Sequence, residues 1–183
     1  MKICLDAGHG GRDPGATFGG LDEKVITLEV AGKMGNIAAG TQLVQPVYSR
    51  PADEFVGLRD RVTFANESGA DVFVSLHCNA DADEDNPGDP EASGMEIYHA
   101  VGSVKGLKLA TAIGAAMREE FPDEPWRGVK ARNLYVVKRT VMPAVLVEMA
   151  FIDNSSSNLE LRDPNVQRRL AFSILGGVIG YWL

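Results

Sequence analysis

The chain has 183 residues, 45% of them hydrophobic and 23% charged, which is enough apolar material for one domain with a substantial core. Its net charge of -7 argues against a nucleic-acid partner, because such binders displace counterions from phosphate with a basic surface. Two cysteines, Cys4 and Cys78, both lie in apolar runs and read as buried thiols rather than a disulfide staple.

The amino terminus has one charge, Lys2, and then enters a short buried strand at Lys2 to Asp6, with no apolar signal region and no small-residue cleavage site. Synthesis in the cytoplasm is therefore expected, or excision from a larger exported protein. No run approaches the ~20 apolar residues of a membrane span, so no membrane partner is expected, and a monomer is the default. The strand feeds His9-Gly10-Gly11-Arg12-Asp13-Pro14-Gly15, whose glycines and proline mark an irregular loop.

From Leu21 a helical pattern starts, with Asp22 and Glu23 in its first turn and Gly40 near its end. Leu43 to Tyr48 predicts a strand, and Leu58 to Ser68 a helix. Asp71 to His77 is a continuous apolar strand of the kind covered on both faces. The acidic stretch Asp81 to Glu91 reads as a solvated loop. Strands are predicted at Met95 to Tyr98, Leu134 to Val137 and Ala144 to Met149, and a helix at about Lys105 to Phe121. Asp163-Pro164 opens a last helix, with a capping side chain before a first-turn proline. The alternation predicts one α/β domain over 1–183, a central, mostly parallel mixed sheet with helices on both faces.

In such folds chemistry gathers at the carboxyl ends of strands, where this reading puts His9, His77 and Glu148. Two histidines and a carboxylate would hold a zinc ion with a fourth position free. Glu23 is the preferred carboxylate, since its helix leaves the loop that carries His9; the competing reading is that it complements the helix dipole. Each histidine has a competing reading as a satisfied structural side chain. Glu148 ends an apolar run and needs either a function or a buried partner, with Arg59 or Arg61 as candidates.

These residues carry a resemblance. Leu5-Asp6-Ala7-Gly8-His9-Gly10-Gly11 with Asp13-Pro14-Gly15-Ala16, then Glu23-Lys24, Val74-Ser75-Leu76-His77-Cys78-Asn79-Ala80 and Ala144-Val145-Leu146-Val147-Glu148 resemble, in order, the signature blocks of the N-acetylmuramoyl-L-alanine amidase family 3 catalytic domain. Ser49-Arg50, Leu58-Arg59-Asp60-Arg61, Arg127-Gly128-Val129-Lys130 and Phe151-Ile152-Asp153-Asn154 extend it over most of the chain. The resemblance implies an α/β fold, a zinc ion held by His9, Glu23 and His77, and Glu148 as the catalytic acid/base. It also implies peptidoglycan as substrate, cut at the amide between N-acetylmuramic acid and L-alanine, while the lack of an export signal resembles a phage or prophage endolysin or, equally, an excised domain of an exported enzyme. Ala150 departs from the glycine common in the family. The stretch Asp81 to Ser93 is too short and too rich in Pro and Gly for the blocking helix of some relatives, so an open site is expected. Two rivals share the pattern: a zinc peptidase acting on the peptidoglycan stem, and a wall-binding module without chemistry.

Overall fold

Apolar alternation and turn chemistry build a six-stranded sheet whose order is set by crossovers. In the computed structural model, which describes residues 1–81, 92–154 and 160–183, strand β1 (Lys2–Ala7) lies between β4 (Gln45–Tyr48) and β5 (Val72–Asn79), parallel to both. β8 (Ala144–Phe151) runs parallel on the far side of β5, β6 (Met95–His99) antiparallel to β8, and β7 (Trp126–Ala131) parallel to β6 at the edge. The order is β4-β1-β5-β8-β6-β7. It is the mostly parallel mixed sheet that the alternation predicts.

Helices cover both faces. Ile26, Val30 and Met34 of α1 (Glu23–Thr41), Leu109, Ile113 and Met117 of α3 (Val104–Glu120) and Leu170, Ile174 and Val178 of α5 (Pro164–Trp182) pack with Ile3, Leu5, Val74, Leu76 and Val147 in one cluster. Val62 and Ala65 of α2 (Leu58–Glu67) and Val136 and Val137 of α4 (Tyr135–Arg139) pack with Cys4, Phe73 and Leu146 on the other face. Both thiols are free and buried, as their apolar surroundings predict. Asp163 caps α5 by accepting from Asn165 N at 2.8 Å. No helix among the described residues is long and apolar enough to cross a membrane.

Several local expectations need correction. Leu134 to Val137 is not a strand: Tyr135–Arg139 is a single helical stretch, because burying Val136 and Val137 against α2 and Leu146 outweighs their β propensity. The strand missed is β7, a half-exposed edge with a bulge opposite Met95 and Glu96 and a positive φ of 102° at Gly128, so it has no apolar alternation to read. Leu21 and Asp22 are not in the helix; they form β3, paired with β2 (Thr17–Phe18) in a small hairpin, and α1 starts at Glu23. That helix ends at Thr41, capped by Gln42 in the left-handed region, rather than at Gly40. The readings of the acidic loop and of an open site fall largely on residues 82–91, which lie outside the described residues.

Candidate active site

β1, β5 and β8 run parallel, so their carboxyl ends meet at one edge of the sheet. The chain leaving β1 is held there by two buried arginines. Arg50, fully buried, donates from Nε to Ala7 O at 2.9 Å, and from Nη2 to Gly8 O at 3.1 Å and Lys24 O at 3.0 Å. Arg61 donates to the carbonyls of Ala7 and His9, and pairs with buried Asp6 at 2.8 Å. Asp6 also accepts from Ser49 and, at 2.7 Å, from Ser75. This network holds His9 at φ 61°, a sparsely populated conformation for a non-glycine residue.

Glycine is required around this loop for room. A Cβ at Gly8 would fall 2.6 Å from His77 Nε2; one at Gly15, where φ is +69°, would fall 2.5 Å from Glu23 Oε2.

The three side chains singled out in the sequence converge. His9 Nε2 is 3.1 Å from Glu23 Oε2, and His77 Nδ1 is 2.9 Å from Glu23 Oε1. One ligand-capable atom from each lies within 4.8 Å of the others, and the imidazole rings stand edge to face at 5.0 Å. Glu23 is 3% exposed, so its carboxylate is turned into the protein instead of complementing the dipole from the surface. Backbone amides fix its orientation: Cys78 N donates to Oε1 at 2.9 Å and Ala16 N to Oε2 at 3.0 Å. Burial pushes the Glu23 carboxyl up, but hydrogen bonds and charge from His77 and His9 outweigh it and hold the group far below the usual range. Both histidines are lowered by burial and raised more by nearby carboxylates, Glu23 with Asp13 for His9 and Glu23 with Glu148 for His77, so both end above their ordinary value. Two imidazole nitrogens and a carboxylate within this span form a donor set suited to a divalent metal of borderline softness.

Sequence reasoning did not find the residue that orients His9. Both oxygens of Asp13 lie 3.0 Å from His9 Nδ1, leaving Nε2 to face Glu23. A carboxylate behind a histidine fixes its tautomer and ring plane. The spacing i, i+4 in a glycine-rich loop is no signal, because only the loop conformation brings the pair together. Asn79, two residues past His77, donates to Glu96 at 2.9 Å.

Glu148 is the register partner of His77 across β5 and β8. Neither arginine considered as its partner reaches it: Arg61 is committed to Asp6, and Arg59 is exposed. Glu148 Oε2 is buried and has no hydrogen-bond partner among the described residues. Burial raises its carboxyl to about 7; the charges of His77 and His9 work against the rise, and those of Glu23 and Glu96 add to it. A carboxyl poised there can give or take a proton near neutrality. A cleft of about 220 Å³ opens beside His9 and His77, with Phe55, Leu58, Leu134 and Tyr135 on its walls.

Fold and known structures agree on the class. The closely superimposable N-acetylmuramoyl-L-alanine amidase AmiC2 of Nostoc punctiforme has a TM-score of 0.91 and 31% identity, over 100% of this chain and 97% of that one. A family model described as N-acetylmuramoyl-L-alanine amidase matches residues 3–180. The chain belongs to the N-acetylmuramoyl-L-alanine amidase family. It is 36% identical over 175 residues to the sporulation-specific N-acetylmuramoyl-L-alanine amidase of Bacillus subtilis (strain 168), covering 93% of this chain and 64% of the relative. It is 38% identical over 159 residues to the endolysin of Bacillus phage SPP1, covering 83% of this chain and 55% of that protein.

Proposed function

We propose that this chain is the catalytic unit of a zinc-dependent amidase that hydrolyses the bond between N-acetylmuramic acid and L-alanine in peptidoglycan. The observation that carries the reading is the buried Glu148 Oε2, without a hydrogen-bond partner among the described residues, on a residue in register with His77 and beside the cluster of His9, Glu23 and His77. Family membership supports the bond; the donor chemistry supports the metal.

His9, Glu23 and His77 would hold the ion. When bound, zinc supplies a Lewis acid that polarises a carbonyl and makes water acidic enough to attack near neutral pH. Glu148 accepts a proton from water as it adds to the lactyl carbonyl carbon, then returns that proton to the alanine nitrogen as the C–N bond breaks. Asp13 keeps the His9 tautomer fixed, and the amides of Cys78 and Ala16 keep the Glu23 carboxylate from rotating. The products are the muramic carboxylate and a peptide with a new amino-terminal alanine.

The test is zinc content and hydrolysis of purified peptidoglycan for wild type, Glu148→Ala and His9→Ala. Glu148→Ala should retain about one zinc per chain and lose lysis, and His9→Ala should lose both. Free amino-terminal alanine with intact sugar strands identifies the bond; cleavage inside the stem would favour a peptidase. Wall binding without hydrolysis by the zinc-loaded wild type would sink the enzymatic reading.

A further inference from the structure

The row of side chains from His77 through Glu148 continues one strand further. Glu96 is the register partner of Glu148 across β8 and β6, so both side chains leave the same face of the sheet. Glu96 is 2% exposed. Burying a carboxylate is unfavourable unless its oxygens are satisfied and its charge balanced, and here both conditions hold. Oε1 accepts from Asn79 Nδ2 at 2.9 Å and from Tyr98 OH at 2.6 Å; Oε2 accepts from Lys130 Nζ, and from Arg127 Nε at 3.3 Å.

One cation would neutralise Glu96, and two are present. The group therefore carries net positive charge, within a chain whose own balance is -7. Neither cation is sealed in: the Arg127 side chain keeps 41% of its surface and that of Lys130 39%. Arg127 is further fixed by lying over the Phe151 ring at 4.8 Å, with Nη1 3.5 Å from Ser93 O. Arg132, just past β7, lies over the Tyr98 ring at 6.0 Å and adds a third positive charge to the same edge. A buried carboxylate thus holds two half-exposed cations in place, which preorganises them for an anion from solvent.

The position suits one half of the substrate. Neighbouring strands are spaced by about 4.8 Å, and the charged ends of Arg127 and Lys130 rest on Glu96, one strand from Glu148. An extended peptide covers about 3.4 Å per residue, so roughly one to two residues beyond the scissile amide span that gap. In the proposed substrate the muramic carboxyl is consumed in the scissile amide, and the peptide half carries the remaining carboxylates.

We propose that Arg127 and Lys130, held on Glu96, form a subsite for a carboxylate of the peptide stem, and that the protein thereby prefers acidic stems to amidated ones. This rests on the amidase reading above. Glu96 is a positioning residue, acting through the two cations.

The experiment compares kcat/KM of the zinc-loaded protein on a disaccharide pentapeptide with free carboxyl groups and on the same molecule with those groups converted to carboxamides. Wild type should favour the acid by about tenfold, the scale of a charge-assisted hydrogen bond at a partly solvated site. The ratio should fall towards one in Arg127→Gln and in Lys130→Gln, and the wild-type preference should weaken as salt rises. Loss of folding in a variant, read from its melting curve, leaves the wild-type ratio and its salt dependence as the deciding measurements. Equal cleavage of both molecules by wild type, or a ratio the folded variants do not change, overturns the subsite and leaves the amidase reading standing. Cleavage of neither by wild type overturns both.

Discussion

Replacing Glu148 by Gln should stabilise the metal-free protein, and only at high pH. The Glu148 carboxyl rises from 4.5 to about 7 in the folded chain, chiefly through burial. The folded state therefore holds this proton more tightly than the unfolded state, so the stability it contributes is complete below pH 4.5 and is lost as pH climbs through about 7. The full loss is about 3 kcal/mol, at 1.36 kcal/mol for each unit of difference. Gln keeps the shape with no proton to lose. Wild type and Glu148→Gln, stripped of metal with a chelator, should differ by less than about 1 kcal/mol more at pH 5 than in strong acid, and by about 3 kcal/mol more at pH 8. In a domain of this size that is a melting temperature about 6 to 12 °C higher for the variant at pH 8. Calorimetry across this range measures it, and any constant offset from new contacts of the amide cancels between pH values. Restoring zinc should narrow the gap, because a dication near His77 favours the charged carboxylate. A melting difference that stays flat from pH 5 to pH 8 would refute the claim that burial controls this group.

Other consequences of the geometry can be measured separately. Asp13→Ala removes the acceptor behind His9 Nδ1 and should weaken zinc binding by about 10- to 100-fold, read by competition with a chromogenic chelator; unchanged affinity would mean that the loop alone orients the ring. Gly8→Ala drives a methyl group into the His77 ring and should cost about tenfold or more in zinc affinity, with lysis falling in parallel. Asp6→Ala leaves the Arg61 charge buried without its partner and should cost about 3 to 5 kcal/mol in denaturant unfolding. A loss below about 1 kcal/mol there would show that the carbonyls of Ala7 and His9 satisfy Arg61 by themselves.

Much of the fold was legible because its signals are local. The apolar run Val72 to Leu76 is a central strand in any context that covers both faces, and Asp163-Pro164 is a helix start by its own chemistry. Edges were less legible. β7 alternates nothing and bends at Gly128, while Leu134 to Val137 has the β-branched content of a strand and the burial pattern of a short helix. In both cases the neighbours decide, through burial against α2 and Leu146 or pairing with β6.

The site divides along the same line. The sequence by itself determined the kinds of group present, two histidines and two glutamates at strand ends and a helix start, together with the glycine density of the loop, because side-chain chemistry and backbone freedom are properties of single residues. Only the tertiary structure decided that Glu23 faces inward to both histidines, that Asp13 backs His9, that Arg61 belongs to Asp6 and leaves Glu148 Oε2 without a partner among the described residues, and that Glu96 gathers two cations one strand away. Those facts depend on parallel strands ending at a common edge and on which face each side chain leaves, and such distances are fixed by the register of the sheet rather than by spacing along the chain.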